Sequence, residues 1–197
     1  MHLVFFVTVG KQGKGKTYSA VKFCIDRKLN TDCKIITNVE SFKMFTDTVY
    51  ISNISDLIQY VLDYVDNSDE EVPNIIIFFD EIFTILEKQT RINKEILSFI
   101  SQLRKRKIIF VTTAQEWLEI NVTFRRYVRY QIDCNMFSFP ILKTAFLLNY
   151  INDGELLKWD KDANEYVAPR IATNFSKGNL SIIESYDTFE TIKTSKA

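Results

Sequence analysis

An apolar run, LVFFVTV (residues 3–9), opens directly onto GKQGKGKT (residues 10–17), and a stretch with helical spacing follows. Strand, tight glycine loop and helix in that order constrain the fold more than anything else in the chain. A continuous apolar run suits a strand buried on both faces, as parallel sheets require. Gly10-x4-Gly15-Lys16-Thr17 has the pattern of a phosphate-binding loop, and a strand before it and a helix after it are the context that loop needs. The glycines let the backbone curl so that successive N–H groups face a β-phosphate. Lys16 offers charge to the β and γ phosphates, the Thr17 hydroxyl offers a ligand to Mg²⁺, and the helix adds its N-terminal dipole. Gly10, Lys11, Gln12, Gly13, Lys14, Gly15, Lys16 and Thr17 are therefore expected to hold a nucleoside triphosphate. Lys11 and Lys14 are not demanded by the pattern; they either add phosphate attraction or stand in solvent.

Downstream, the periodicity alternates. Residues 16–29 place Ala20, Val21, Cys24 and Ile25 at helical spacing, and CKIITNV (33–39) reads as a short strand. In 54–65, Ile54, Leu57, Ile58, Val61, Leu62 and Val65 share one helical face, with Ser52 or Asn53 as cap. NIIIFFDE (74–81) reads as a buried strand, 92–105 as a helix and IIFVTTAQ (108–115) as another buried strand. Such alternation implies βαβ units and a parallel sheet. Beyond about residue 127 the pattern changes: YVRYQIDCNMF and AFLLNYINDGELLKWD read as strands, the second with a hairpin around Asp153-Gly154. The expected fold is α/β, a P-loop NTPase with a mostly parallel central sheet flanked by helices and a small C-terminal β-rich appendage. Residues 1–135 would form the P-loop core, and 136–197 the sheet edge and appendage of the same domain.

Bulk properties narrow the partners. Lys+Arg and Asp+Glu are balanced at 25 each over 197 residues, so any nucleic-acid contact must come from local patches. Three cysteines without a close pair (Cys24, Cys33, Cys134) read as reduced thiols, not a disulfide framework. The N-terminus lacks the basic region and cleavage site of a signal peptide. The apolar stretch 139–151 is too short to span a bilayer and carries Lys143, so the chain is expected to be soluble.

Two carboxylates end the strand IIIFFDE. Asp80 is placed to orient Mg²⁺ or its water, and Glu81 beside it is what a hydrolase needs to polarise an attacking water. The other reading of Glu81 is an ordinary acid at a helix start. Gln115, ending the next buried strand, would reach the γ-phosphate or the water if the strands are neighbours. Arg104, Arg106, Arg125 and Arg126 are candidates for a guanidinium that completes a neighbouring subunit's site. Arg125, Arg126 and Arg129, interleaved with Tyr127 and Tyr130, suit either a nucleic-acid backbone or a surface salt-bridge cluster.

Together FFVTVGKQGKGKT, KIITNV, IIIFFDE and LRKRKIIFVTTAQ make the chain resemble the zonula occludens toxin (Zot) and filamentous-phage assembly ATPase family. That family lies within the FtsK/HerA class of DNA-pumping ATPases, which includes packaging ATPases of tailless, membrane-containing viruses. The resemblance covers residues 3 to 135 and continues weakly at NFSKGNLSIIESYDTFE. It implies that Lys16 and Thr17 bind ATP and Mg²⁺, Asp80 positions the metal, Glu81 activates water, Gln115 senses the γ-phosphate and Arg104 acts in trans. It further implies a hexameric ring acting on viral DNA in virion morphogenesis, in the host cytoplasm or on the virion, with capsid or membrane proteins as further partners. Filamentous-phage proteins of this kind continue into a transmembrane helix, whereas this sequence stops at TIKTSKA; that difference favours genome packaging over extrusion. Two rivals stand beside the motor. A small nucleotide kinase would need an acceptor pocket, against which Asp80, Glu81 and Gln115 favour water. A nucleotide-gated interaction module would hydrolyse slowly and recruit partners.

Overall fold

The computed structural model describes residues 5–42, 44–67, 74–83, 94–103, 105–106, 108–139, 144–162, 164–179 and 182. The first strands are β1 (Phe5–Val9), β2 (Lys34–Thr37), β3 (Val49–Tyr50), β4 (Ile75–Phe79) and β5 (Ile109–Ala114); all but the two-residue β3, which pairs with β2, were expected. Between them lie α1 (Lys16–Thr31), α2 (Ile54–Asp66) and α3 (Lys94–Gln102). A 3-10 turn (Trp117–Glu119) and the short α4 (Val122–Arg125) lead to β6 (Tyr130–Phe139), β7 (Thr144–Asp153), β8 (Lys158–Asp160), β9 (Glu165–Val167) and β10 (Arg170–Lys177). Eight strands form one sheet in the order β10-β7-β6-β1-β5-β4-β2-β3, and β8 pairs with β9 alone.

Every residue of β1, β4 and β5 is buried, which explains their unbroken apolar runs. Layers cover both faces of these strands, so period-two alternation has no solvent side to mark. Phe5, Val7 and Val9 of β1 join a core with Leu57 and Val61 of α2 and Phe99 and Ile100 of α3. Phe6, on the opposite face, joins Val21, Cys24 and Ile25 of α1. The three cysteines are buried free thiols. Of the two candidate caps for α2, Asn53 takes the role, its Oδ1 accepting from the Ser55 N–H at 2.8 Å.

The C-terminal strands split in function. β6 runs parallel to β1, and β7 returns antiparallel to it; β10 then pairs antiparallel on β7. β6 passes through residue 135 without interruption. The expected hairpin around Asp153-Gly154 does not form, because β8 pairs with β9 and not back onto β7. Gly154 is held against the connection into β6: its N–H donates to the Arg129 carbonyl at 2.9 Å. A Cβ there would lie 2.2 Å from the Val128 carbonyl oxygen. The chain is thus pinned at the end of β7 and leaves the sheet, to return only as β10. Among the described residues no helix is long and apolar enough to cross a membrane.

Candidate active site

Parallel pairing of β1 with β5 and of β5 with β4 brings the C-terminal ends of three strands side by side. Those ends carry Gly10, Gln115 and Asp80, and the edge they share is where an open α/β sheet binds its ligand. β5 lies between the other two, and the Gln115 carbonyl accepts from the Gly10 N–H at 3.2 Å.

The loop between β1 and α1 needs its glycines for distinct reasons. Gly13 and Gly15 have φ of 76° and 82°, conformations that cost other residues about 1 kcal/mol or more. At Gly10 the obstacle is also space, since a Cβ would meet the Cys134 carbonyl oxygen of β6 at 2.9 Å. A Cβ on Gly15 would press within 3.2 Å of Leu147 of β7 and within 3.5 Å of Met136 of β6. The loop is therefore clamped against β6 and β7. Lys16 folds back over it, its Nζ donating to the Lys11 carbonyl at 3.4 Å, and the Thr8 hydroxyl donates to the Lys16 carbonyl at 3.3 Å. Lys11 itself is exposed, as are Gln12 and Gly13.

Asp80 is the hub. Its Oδ2 accepts from the Thr17 hydroxyl at 3.4 Å, and its Oδ1 accepts a short hydrogen bond from the Thr113 hydroxyl. Its backbone is gripped by Asn38, whose Nδ2 donates to the Asp80 carbonyl at 3.0 Å while Asn38 Oδ1 accepts the Asp80 N–H at 2.7 Å. Burial, foremost, pushes the Asp80 carboxyl up to about 6; the neighbouring Glu81 charge adds to it, while the Thr113 and Thr17 hydroxyls and the Lys16 ammonium pull it down. Glu81 has φ 51°, a left-handed conformation rare outside glycine, and its N–H donates to the Thr113 hydroxyl at 3.1 Å. Backbone outliers of this kind persist only where the surroundings hold them, and they cluster at functional sites. A half-buried carboxylate and a hydroxyl, both hard oxygen donors, fit Mg²⁺, which takes few protein ligands and fills its shell with water and phosphate oxygens.

Gln115 sits exposed at the end of β5, on the same edge as the loop. Arg104 lies outside the described residues. The other arginines have local employment: Arg106 lies 3.9 Å from Asp66, and Arg125 donates to the Leu118 and Ile120 carbonyls, each at 2.6 Å. Arg129 pairs with Asp153 at 2.7 Å and Glu155 at 2.6 Å, which resolves that residue as a salt-bridge cluster. Arg126 is exposed. Two residues of the site carried no assigned role in the sequence. Asn38 was visible as the last residue of ITN in the family-like stretch KIITNV, without a role, and Thr113 as one of two threonines inside an apolar strand; their partners lie 42 and 33 residues away.

Residues 6–136 match the family described as ATPase family associated with various cellular activities (AAA). No curated protein sequence matches the chain. Among solved structures, the N-terminal domain of zonular occludens toxin from Neisseria meningitidis superposes with a TM-score of 0.57 at 14% identity, covering 95% of this chain and 100% of that one. The genome packaging NTPase B204 from Sulfolobus turreted icosahedral virus 2, in complex with ATP-gammaS, gives 0.53 at 12% identity over 84% and 96%. The KaiC-like protein PH0186 from Pyrococcus horikoshii gives 0.51 at 14% identity over 84% and 89%. At such identities the likeness is one of fold.

Proposed function

The chain belongs to the ATPase family associated with various cellular activities (AAA), and from that premise we propose that it is an ATP-hydrolysing motor that moves viral DNA in virion morphogenesis. The observation that carries the chemistry is the cluster joining Thr17, Asp80, Thr113 and Glu81 at the mouth of the glycine loop. Support for the DNA reading comes from the Zot-like and packaging-type motifs of the sequence and from a fold shared with B204, described as the DNA-packaging ATPase of its virus.

In this reading the loop's N–H groups and Lys16 hold the β and γ phosphates. Thr17 and Asp80 would hold Mg²⁺, which when bound offsets charge on the β and γ oxygens. Glu81, fixed in its left-handed turn by Thr113, accepts a proton from the attacking water. The water oxygen bonds to the γ-phosphorus as the bond to the β–γ bridging oxygen breaks, releasing ADP and phosphate. Gln115 orients the water or reads the γ-phosphate. Arg104 supplies charge to the next subunit's site in a ring, six subunits by the family's pattern. Capsid or membrane proteins of the virion are the further partners. The work is either packaging of a genome into a capsid or its extrusion during phage assembly.

ATP hydrolysis measured with and without single- and double-stranded DNA, across protein concentration, tests this. The motor requires rates per subunit that rise with concentration and with DNA. Slow hydrolysis indifferent to both would replace it with the nucleotide-gated interaction module.

A further inference from the structure

The phosphate-binding site uses only one face of β6 and β7, the face toward α1. Register places the other set of side chains, Phe137 on β6, Phe146 and Tyr150 on β7, and Phe175 and Lys177 on β10, on the side of α2 and α3. None of these residues joins the core beneath those helices. Phe137 is 46% exposed and Phe175 64% exposed, large values for phenyl rings on a sheet face. The rings are ordered: Phe137 stands directly across from Phe146, and the Phe146 and Phe175 rings lie 5.6 Å apart and within 6° of parallel.

The rim of this platform is cationic. β10 reads RIATNFSK, with cations at both ends and no acid between them. Lys177 is exposed beside Phe146, and the Arg170 guanidinium lies 3.6 Å from the centre of the Tyr150 ring. Asp133, an acid on the same face, accepts from Gln131 and Asn152, each at 2.7 Å, and lies on β6, away from the β10 rim. Aromatic faces on a sheet with cations at its margin suit a ligand with flat π surfaces and a polyanionic backbone.

We propose that the face of β6, β7 and β10 carrying Phe137 and Phe175 binds single-stranded DNA, with bases stacked on Phe137 and Phe175 and phosphates at Lys177 and Arg170. Bases inside a duplex are already stacked on each other, so a platform of this kind selects unpaired strands. The choice of DNA rests on the motor reading above; the choice of face rests on the geometry alone.

The test is fluorescence anisotropy with fluorescein-labelled dT20, rU20 and a 20-base-pair duplex over a salt series, alongside basal ATP hydrolysis. Phe175→Ala should weaken dT20 binding by roughly 5-fold or more, the effect of one lost stacking contact. Phe175→Trp should restore it, and both variants should hydrolyse ATP at the wild-type basal rate. Lys177→Ala should lower the slope of log affinity against log salt by about 0.7. The proposal is overturned if wild type does not bind dT20, if it binds rU20 or duplex more tightly, or if Phe137→Ala and Phe175→Ala bind dT20 as wild type does. DNA-stimulated hydrolysis with dT20 binding unchanged in Phe175→Ala would keep the motor and remove this surface. Loss of dT20 binding in that variant, with hydrolysis blind to DNA, would keep the surface and remove the motor.

Discussion

Lys16 folds its ammonium across the glycine loop, so Lys16→Ala should weaken ATP binding by roughly 100-fold or more, as two charged hydrogen bonds of about 1.5–3 kcal/mol each are lost. Isothermal titration with ATP checks it, and unchanged affinity would remove the loop from the site. Glu81→Gln separates binding from turnover: affinity should hold while kcat falls roughly 10²–10⁴-fold, the range for a lost general base. If that variant keeps the wild-type rate, Glu81 is only an acid at a turn. Asp80 makes a different statement, about stability. Its folded-state pKa of about 6 lies above the ordinary carboxylate value of 3.8, so its ionisation costs the nucleotide-free fold stability in full above pH 6, and that cost declines as pH falls from 6 towards 3.8. Asp80→Asn should therefore stabilise the nucleotide-free protein at pH 7.5 by roughly 1–3 kcal/mol while abolishing turnover. Urea titration at pH 7.5 and pH 5 checks the sign: the gain must shrink at the lower pH.

Between elements, Asn38 is the clasp that binds the end of β2 to the end of β4. Cutting it with Asn38→Ala leaves the Asp80 N–H and carbonyl without their partner and should cost about 1–3 kcal/mol in chemical denaturation. Turnover should fall with it, since Glu81 follows directly on the loosened residue; full activity with full stability would show the clasp to be redundant. The contact of the glycine loop with β6 and β7 is of the same kind. Met136 and Leu147 pack where a Gly15 side chain would be, and Asn149 of β7 donates to the Ser19 hydroxyl of α1 at 3.0 Å. The C-terminal strands are thus a wall of the glycine loop, the proposed nucleotide site, as well as an edge of the sheet.

For the whole molecule, the motor reading requires that one copy's chemistry depend on another's. Mixing Glu81→Gln protein into wild type should depress ATP hydrolysis more steeply than its mole fraction, whereas a straight-line dilution would mean that each copy works alone. How much of this molecule was legible in its sequence depends on the range of the interaction involved. β1, β4, β5, α1 and α2 could be read residue by residue, because burial on both faces of a strand, or on one face of a helix, leaves its period in the local sequence. The loop from Gly10 to Thr17 and the pair Asp80–Glu81 were legible for a related reason: backbone curvature and strand-end chemistry demand particular residue types at fixed short spacing. Thr113 and Asn38 were not, since a threonine or asparagine in a short strand acquires its role only when β2, β4 and β5 lie side by side. The hairpin expected at Asp153-Gly154 failed for the same reason, because Gly154 is taken by the backbone around Val128 and Arg129, about 25 residues earlier in the chain. Local sequence determined a triphosphate loop followed by an acid pair on an α/β scaffold. Only tertiary packing, through contacts that local periodicity does not encode, decided which residues hold that pair in place and left Phe137 and Phe175 exposed on the sheet face.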